Sequence, residues 1–313
     1  MSRLPPMQVF ADIPVVPVMT RTIRHKAVGG PIWPDFERQV AARFCRNGIA
    51  SDWQPERPSQ MRAIAEPVVW GGFLYPQFGH FVSECITRLP QSLAERPGDL
   101  YLFTVPVGMN ADTLPGHVWA VLDWFGLPRA RVEVVTEPCL AADLRVAAQG
   151  EMLGRQPTDP GYLDLLDANA ARNGVIARPA GTVFVTRAGF VAAGGGGHAG
   201  EAYLAAQLSR LGVRVIDPGQ MSLRDQLGAY AGAEALVFSE GSAMHGRCLL
   251  GRLPQDIHVL RRRSGRDTAR VQLQSRCRRI TYVEAVEDSL GAARIDLRRR
   301  PHLTAALYDL DEV

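Results

Sequence analysis

The chain predicts an α/β fold, and three observations carry that prediction. Between Thr182 and Leu250, short apolar runs (TVFVTR, VRVID, ALVFS) alternate with stretches of helical period (EAYLAAQLSRL, SLRDQLGAYA). Such alternation is how a parallel sheet with helical crossovers reads in sequence. The punctuation also falls where the fold needs it. Gly212 closes one helix, and Ser222, with Asp225 three residues on, opens the next in a capping-box pattern.

At 313 residues the chain exceeds the usual single domain, so two domains of about 150 residues are expected. The boundary is placed in the linker-like GVIARPAG, near residue 178, giving domains 1–178 and 179–313. The first 66 residues are irregular and proline-rich. Within them Ile13–Val18 reads as strand or extended edge and Trp33–Arg46 as one helix. AIAEPVVWGG is a strand ending at Gly71-Gly72. In the next stretch, FLYPQFGHFVSECITRLPQSL, residues Phe78, Phe81, Val82, Cys85, Ile86 and Leu89 fall at helical spacing. YLFTVPV, VEVV and CLAADLRVAAQ are further strands. GHVWAVLDWFGL and DPGYLDLLDANAARNG are helices closed by Gly126 and Gly174.

In the second half, one helix sets Tyr203, Leu204, Gln207, Leu208 and Leu211 on or near a single face. The next turns Leu223, Leu227 and Tyr230 to the core. EGSAMHGRCLL is a strand-turn-helix transition, DIHVL and TYVEAV are strands, and HLTAALYDL is a closing short helix expected to pack back on the first domain.

Composition excludes several function classes. Apolar residues make up 46%, ample for two cores, and charged residues only 21%, so the chain is not of disordered type. A net charge of +3 argues against a dedicated nucleic-acid binder. Lys26 is the sole lysine, so the positive charge is almost all arginine. The five cysteines show no metal or disulfide spacing and fit reduced thiols in the cytoplasm. The opening MSRLPPMQVFADIPVVPV lacks the pattern of a signal peptide, and no apolar run reaches the roughly 18 residues of a membrane span. A cytoplasmic protein is expected. The run RRRSGRDTAR, followed by Arg276, Arg278 and Arg279, reads either as a solvated surface or as a basic patch for anionic donors or the membrane's inner face.

Chemistry gathers at a few places. The turn Glu240–His245 sets Gly241 and Ser242 between strand and helix, where backbone N–H groups and the helix dipole can meet an anion. Tight packing alone also accounts for such small residues. Arg187 ends a strand at the edge where open α/β sheets bind ligands, and its forked guanidinium suits a diphosphate; a solvated rim residue is the alternative. The GGGG run lacks a dinucleotide fingerprint and reads as a mobile lid or a linker. His80 opens a helix with Glu84 one turn on, and a carboxylate so placed orients an imidazole and keeps it basic; a structural histidine is the alternative. The seven histidines form no ligand motif, so neither a metal nor a bound cofactor is expected.

These features occur together in one order. VFVTR with Arg187, Glu201 opening a helix, PGQMSLRDQLGAYAGAEALV, SEGSAMHG and, upstream, FGHFVSECITRLP resemble glycosyltransferase family 61 over about residues 68–250. That family includes bacterial capsule-biosynthesis enzymes, plant xylosyltransferases and animal O-linked N-acetylglucosaminyltransferases. The resemblance implies two facing Rossmann-like domains in the GT-B arrangement, with the second holding the donor. It also implies inversion without a bound metal and a nucleotide-sugar co-substrate, UDP-linked by expectation. The acceptor would be a polysaccharide, glycolipid or other glycan.

On that basis His80, supported by Glu84, is the expected base, and Arg187 with Gly241 and Ser242 holds the leaving diphosphate. Gln226 and His245 are further candidates for nucleotide or phosphate contacts. The chain departs from the family pattern at Glu240, where histidine commonly precedes the glycine, and Glu240 is kept as a candidate base or sugar contact. The place of a second arginine falls in AAGGGGHAG, with only His198 nearby. Two alternatives stand beside this reading: a catalytically degenerate partner in a glycan-assembly complex, and a transferase using another activated donor.

Overall fold

The computed structural model describes residues 4–21, 27–46, 49–154, 156–175, 180–193, 195–262, 267–284, 286–290 and 305–308. They fall into two units, Met1–Asn169 and Ala170–Val313. The boundary expected near residue 178 lies outside the described residues, as do Gly194 of the glycine run and 263–266 of the basic run.

The main sheet of the first unit is built from β1 (Gln8–Arg21), β2 (Ala27–Pro31), β3 (Val68–Phe73), β4 (Leu100–Thr104), β5 (Val132–Val135) and β6 (Cys139–Val146). Their order is β2-β1-β6-β3-β4-β5, with short strands at Asp52–Trp53 and Arg62–Ile64 pairing β2 and β6. From β6 through β5 the pairing is parallel, whereas β1 runs antiparallel to both of its neighbours. The β1–β2 register shifts between Val16 and Thr20, around Pro17, which has no N–H to give the ladder. Ile13, Val15, Val68, Trp70, Leu102 and Leu144 fill the core of this sheet.

Gly72 shapes the strand that carries the chain toward His80. Its φ of 108° lies in the region that favours glycine, and a Cβ there would stand 2.5 Å from the Cys85 carbonyl oxygen. The absent side chain lets the segment after β3 lie against the strand end. That segment is one α-helical turn, Phe78–His80, continued as a π-helical turn, Phe81–Cys85. The helix expected over Trp33–Arg46 is replaced by turns and a two-residue strand, Cys45–Arg46. There Arg43 is spent on tertiary contacts, lying over the Phe36 ring and binding Asp52 at 2.9 Å.

The second unit carries a five-stranded parallel sheet: β7 (Thr182–Val185), β8 (Arg214–Ile216), β9 (Ala235–Ser239), β10 (Asp256–Leu260) and β11 (Arg279–Val283). The order is β8-β7-β9-β10-β11. The chain thus winds outward one way from β7 and the other way from β9, and the Rossmann-like topology reverses between those two strands. In such sheets ligands bind beyond the carboxyl ends of the strands at the reversal.

Phe184, Leu204 and Leu260 centre the core, with Leu208 and Val237 packed on it. The helix Glu201–Arg210 therefore turns Leu204 and Leu208 inward, while Tyr203 and Leu211 stay 61% and 80% exposed. The stripe that buries is narrower than the sequence pattern implied. Ser222 caps Leu223–Ala231 as expected, accepting the Asp225 N–H at 3.1 Å. The described part of the closing segment, Ala305–Tyr308, is a strand, not a helix. Ala305–Tyr308 pairs in parallel with His198–Ala199 and antiparallel with Val286–Leu290, so edge pairing outweighs the helical pattern of HLTAALYDL. No helix among the described residues is long and apolar enough to cross a membrane.

Candidate functional site

In the second unit the reversal point brings together the residues just past β7 and β9. Arg187 lies two residues beyond β7 and Gly241 two beyond β9. A Cβ built on Gly241 would overlap the Arg187 guanidinium, so only glycine lets the arginine lie across this turn. The Arg187 Nη2 donates to the Gly196 carbonyl at 2.7 Å, and the guanidinium sits 4.8 Å from the Phe190 ring centre. Phe190 belongs to a short helix, Ala188–Ala192, which the sequence pattern did not reveal. The arginine is thereby tied to the glycine run that follows it.

Beneath Arg187 lies a buried polar network. Glu201, at the first turn of its helix, accepts the Thr186 hydroxyl at 2.9 Å and the backbone N–H of Arg187. His198, fully buried, donates Nε2–H to the Arg261 carbonyl at 3.0 Å. Its Nδ1 lies 3.4 Å from the Ser239 Oγ and 3.6 Å from Glu201 Oε2. Burial pushes the Glu201 carboxyl up. Hydrogen bonds from His198, the Arg187 backbone, Ser239 and Thr186 outweigh that, and the group is held below its ordinary 4.5. The network fastens the ends of β7 and β9 to each other at the place where Arg187 leaves the sheet.

Glu240 is wholly buried, and its Oε2 accepts the Arg262 N–H at 2.8 Å. Gln226 donates to the Tyr230 hydroxyl at 2.7 Å, and that hydroxyl donates to the Ala243 carbonyl at 3.1 Å. Gln226 thus braces the turn from below. Ser242 begins a 3-10 helix, Ser242–Leu249, in which His245 is buried. Arg247, also buried, anchors that helix through Gln255 Oε1 at 3.0 Å and the Gly251 carbonyl at 2.9 Å.

In the first unit His80 and Glu84 meet. The Nδ1 of His80 lies 2.5 Å from Glu84 Oε2, and the side chains are 33% and 3% exposed. With Nδ1–H given to the carboxylate, Nε2 is left with the lone pair of a base. The other carboxylate oxygen lies 2.7 Å from the Nε of Arg46; the Nη2 of Arg46, which can only donate, stands 3.1 Å from His80 Nδ1 and makes no hydrogen bond to it in that tautomer. The three groups line a cavity of about 350 Å³ whose walls include Val18, Phe44, Phe73 and Val107. Tyr75 meets the His80 ring edge-on at 5.9 Å. Among the described residues no group of His, Cys, Asp and Glu could hold a metal ion.

A family model described as Glycosyltransferase 61 matches residues 78–250, more than half of the chain. The chain belongs to glycosyltransferase family 61. A comparison with curated proteins returned no match. Membership implies transfer of a glycosyl group, and so a donor and an acceptor. The matched span begins two residues before His80 and runs past Ser242, so it includes the candidate residues of both units.

Arg46 lies outside the span matched by the family model and gave no sequence signal, because its partner is 38 positions away. His198 appeared only as a histidine near the glycine run, and its burial against Ser239 depends on β7 and β9 being neighbours. Among the described residues, several arginines of the basic segment meet acids. Arg261 pairs with Glu284 and Asp267, Arg270 with Asp267, and Arg278 and Arg279 with Asp256 at 2.9 and 2.8 Å. Arg276 is buried and donates to the Cys248 carbonyl at 2.7 Å.

Proposed function

We propose that this family 61 chain is an inverting glycosyltransferase that moves a sugar from a UDP-linked donor to a hydroxyl of a polysaccharide, glycolipid or other glycan. In this reading the second unit holds the donor. The acceptor O–H gives its proton to His80 Nε2, and the oxygen lone pair forms the new bond to the anomeric carbon. The bond from that carbon to the diphosphate breaks, and its electron pair leaves on the diphosphate. The Arg187 fork and the N–H groups at Gly241 and Ser242 meet that charge, so the reading calls for no metal ion.

One observation carries the donor assignment: Arg187 lies across the glycine turn at the sheet's reversal point, beyond the strand ends. Glu84 carries the base assignment by holding His80 Nδ1 and leaving Nε2 for the substrate. Glu240 supports the active reading over a degenerate one, because its buried carboxylate is engaged by the Arg262 N–H. Its role here is to hold the turn from inside. His245 is a further donor-side candidate within the same turn.

The test is incubation with a panel of nucleotide sugars and glycan acceptors, followed by mass spectrometry of the products. Transfer with inverted anomeric configuration, lost in His80→Ala, is the expected result. Transfer with retention, or full activity in His80→Ala, would overturn it.

A further inference from the structure

The first unit carries a second cavity, of about 320 Å³, that the pairing of His80 with Glu84 does not explain. It adjoins the cavity of His80, for Val18, Pro106 and Val107 line both. From that shared wall the lining continues to Val105, Met109 and Val135. We infer that the two cavities form one trough, which takes the apolar chain of an amphipathic acceptor and presents that acceptor's hydroxyl to His80. The inference rests on the role proposed for His80.

The distribution of polar groups assigns the occupant. All the charge of the trough sits at one end, where Arg46, Glu84 and His80 are engaged with one another. Beyond Val107 the lining is aliphatic, and Thr136 alone among those residues has a polar side chain. A sugar ring laid there would bury several hydroxyls with few partners, which is unfavourable. An alkyl or isoprenoid chain has none to satisfy and gains about fourfold in affinity for each methylene it buries. Val107 is 65% exposed although it stands on the wall common to both cavities, as a residue awaiting such a cover would be. A trough of this shape, with a reacting polar group at one end and aliphatic walls behind, is how a site reads one hydroxyl on a largely apolar ligand.

The probe is n-octyl β-D-glucoside below its micelle concentration, with methyl β-D-glucoside as the headgroup control, both titrated calorimetrically into the full chain. The octyl compound should bind at least tenfold more tightly. Val107→Asp should remove that advantage while leaving the melting temperature within a few degrees. Met109→Lys, further along the trough, serves the same end should Val107→Asp fail to fold. His80→Ala should keep the advantage, because the chain is held by the aliphatic wall. Equal or absent binding of the two glucosides, or an octyl advantage untouched by both wall variants, would overturn the inference. Loss of transfer in His80→Ala bears only on the proposed base, so the two readings fail separately.

Discussion

The guanidinium of Arg187 occupies the space that a side chain on Gly241 would need. The two residues are 54 positions apart, and the pairing of β7 with β9 brings them together. Gly241→Ala forces the arginine off the turn without altering the core. The affinity for UDP should fall at least tenfold, or about 1.4 kcal/mol, with the melting temperature nearly unchanged. Arg187→Lys, which keeps the charge but loses the fork, should fall by a similar factor. Calorimetric titration of both variants decides the point, and unaltered affinity in either would dissociate this turn from the donor.

In the proposed mechanism Glu84 positions His80 and acts through it. Glu84→Gln keeps the shape but loses the charge that orients Nδ1–H, and kcat should fall about 100-fold. Binding of UDP, assigned to the other unit, should not change. Arg46→Gln should lower kcat less, because it frees Glu84 from its ion pair without removing the acceptor of Nδ1–H. If either variant mainly weakens UDP binding, the division of roles between the units is wrong.

Much of the second unit was legible because its strands are buried between helices and therefore read as short apolar runs. TVFVTR, VRVID, ALVFS and DIHVL each correspond to a strand, and Ser222 marks a helix start. The first unit was less so. Cys139–Val146 was readable as a strand, but its antiparallel partner lies more than a hundred positions upstream, in the proline-rich segment. No periodicity reports such a pairing.

Buried polar side chains were harder still. Arg46, His198 and Arg247 are placed by tertiary neighbours, and an arginine reads alike whether it meets solvent or a carbonyl. His80 with Glu84 was legible because both lie within one helical turn. Arg187 was legible because a strand end is a position in sequence as well as in space.

The Glu201 carboxyl sets a pH dependence of stability. Its folded pKa is depressed, so its contribution is complete above the ordinary value of 4.5 and is lost as pH falls through the folded value. Glu201→Gln should cost about 2 kcal/mol at pH 7. The gap from the parent chain should then narrow as pH falls below the ordinary 4.5 and the parent's carboxyl takes up its proton. Denaturant melts at pH 7 and pH 3.5 measure both, and a gap that widens on acidification would contradict the sign.

Glu240 should behave as a core residue. Glu240→Ala leaves the Arg262 N–H without its acceptor and should cost about 2 kcal/mol or more. An exposed sugar contact would cost within about 0.5 kcal/mol. Urea denaturation distinguishes the two, and the smaller value would return Glu240 to the list of direct substrate contacts.

The most direct test of the donor site is a crystal of this chain soaked with UDP. The diphosphate should lie on the Arg187 guanidinium and on the N–H groups of Gly241 and Ser242. A diphosphate ordered elsewhere, with Arg187 and the turn empty, would contradict that assignment.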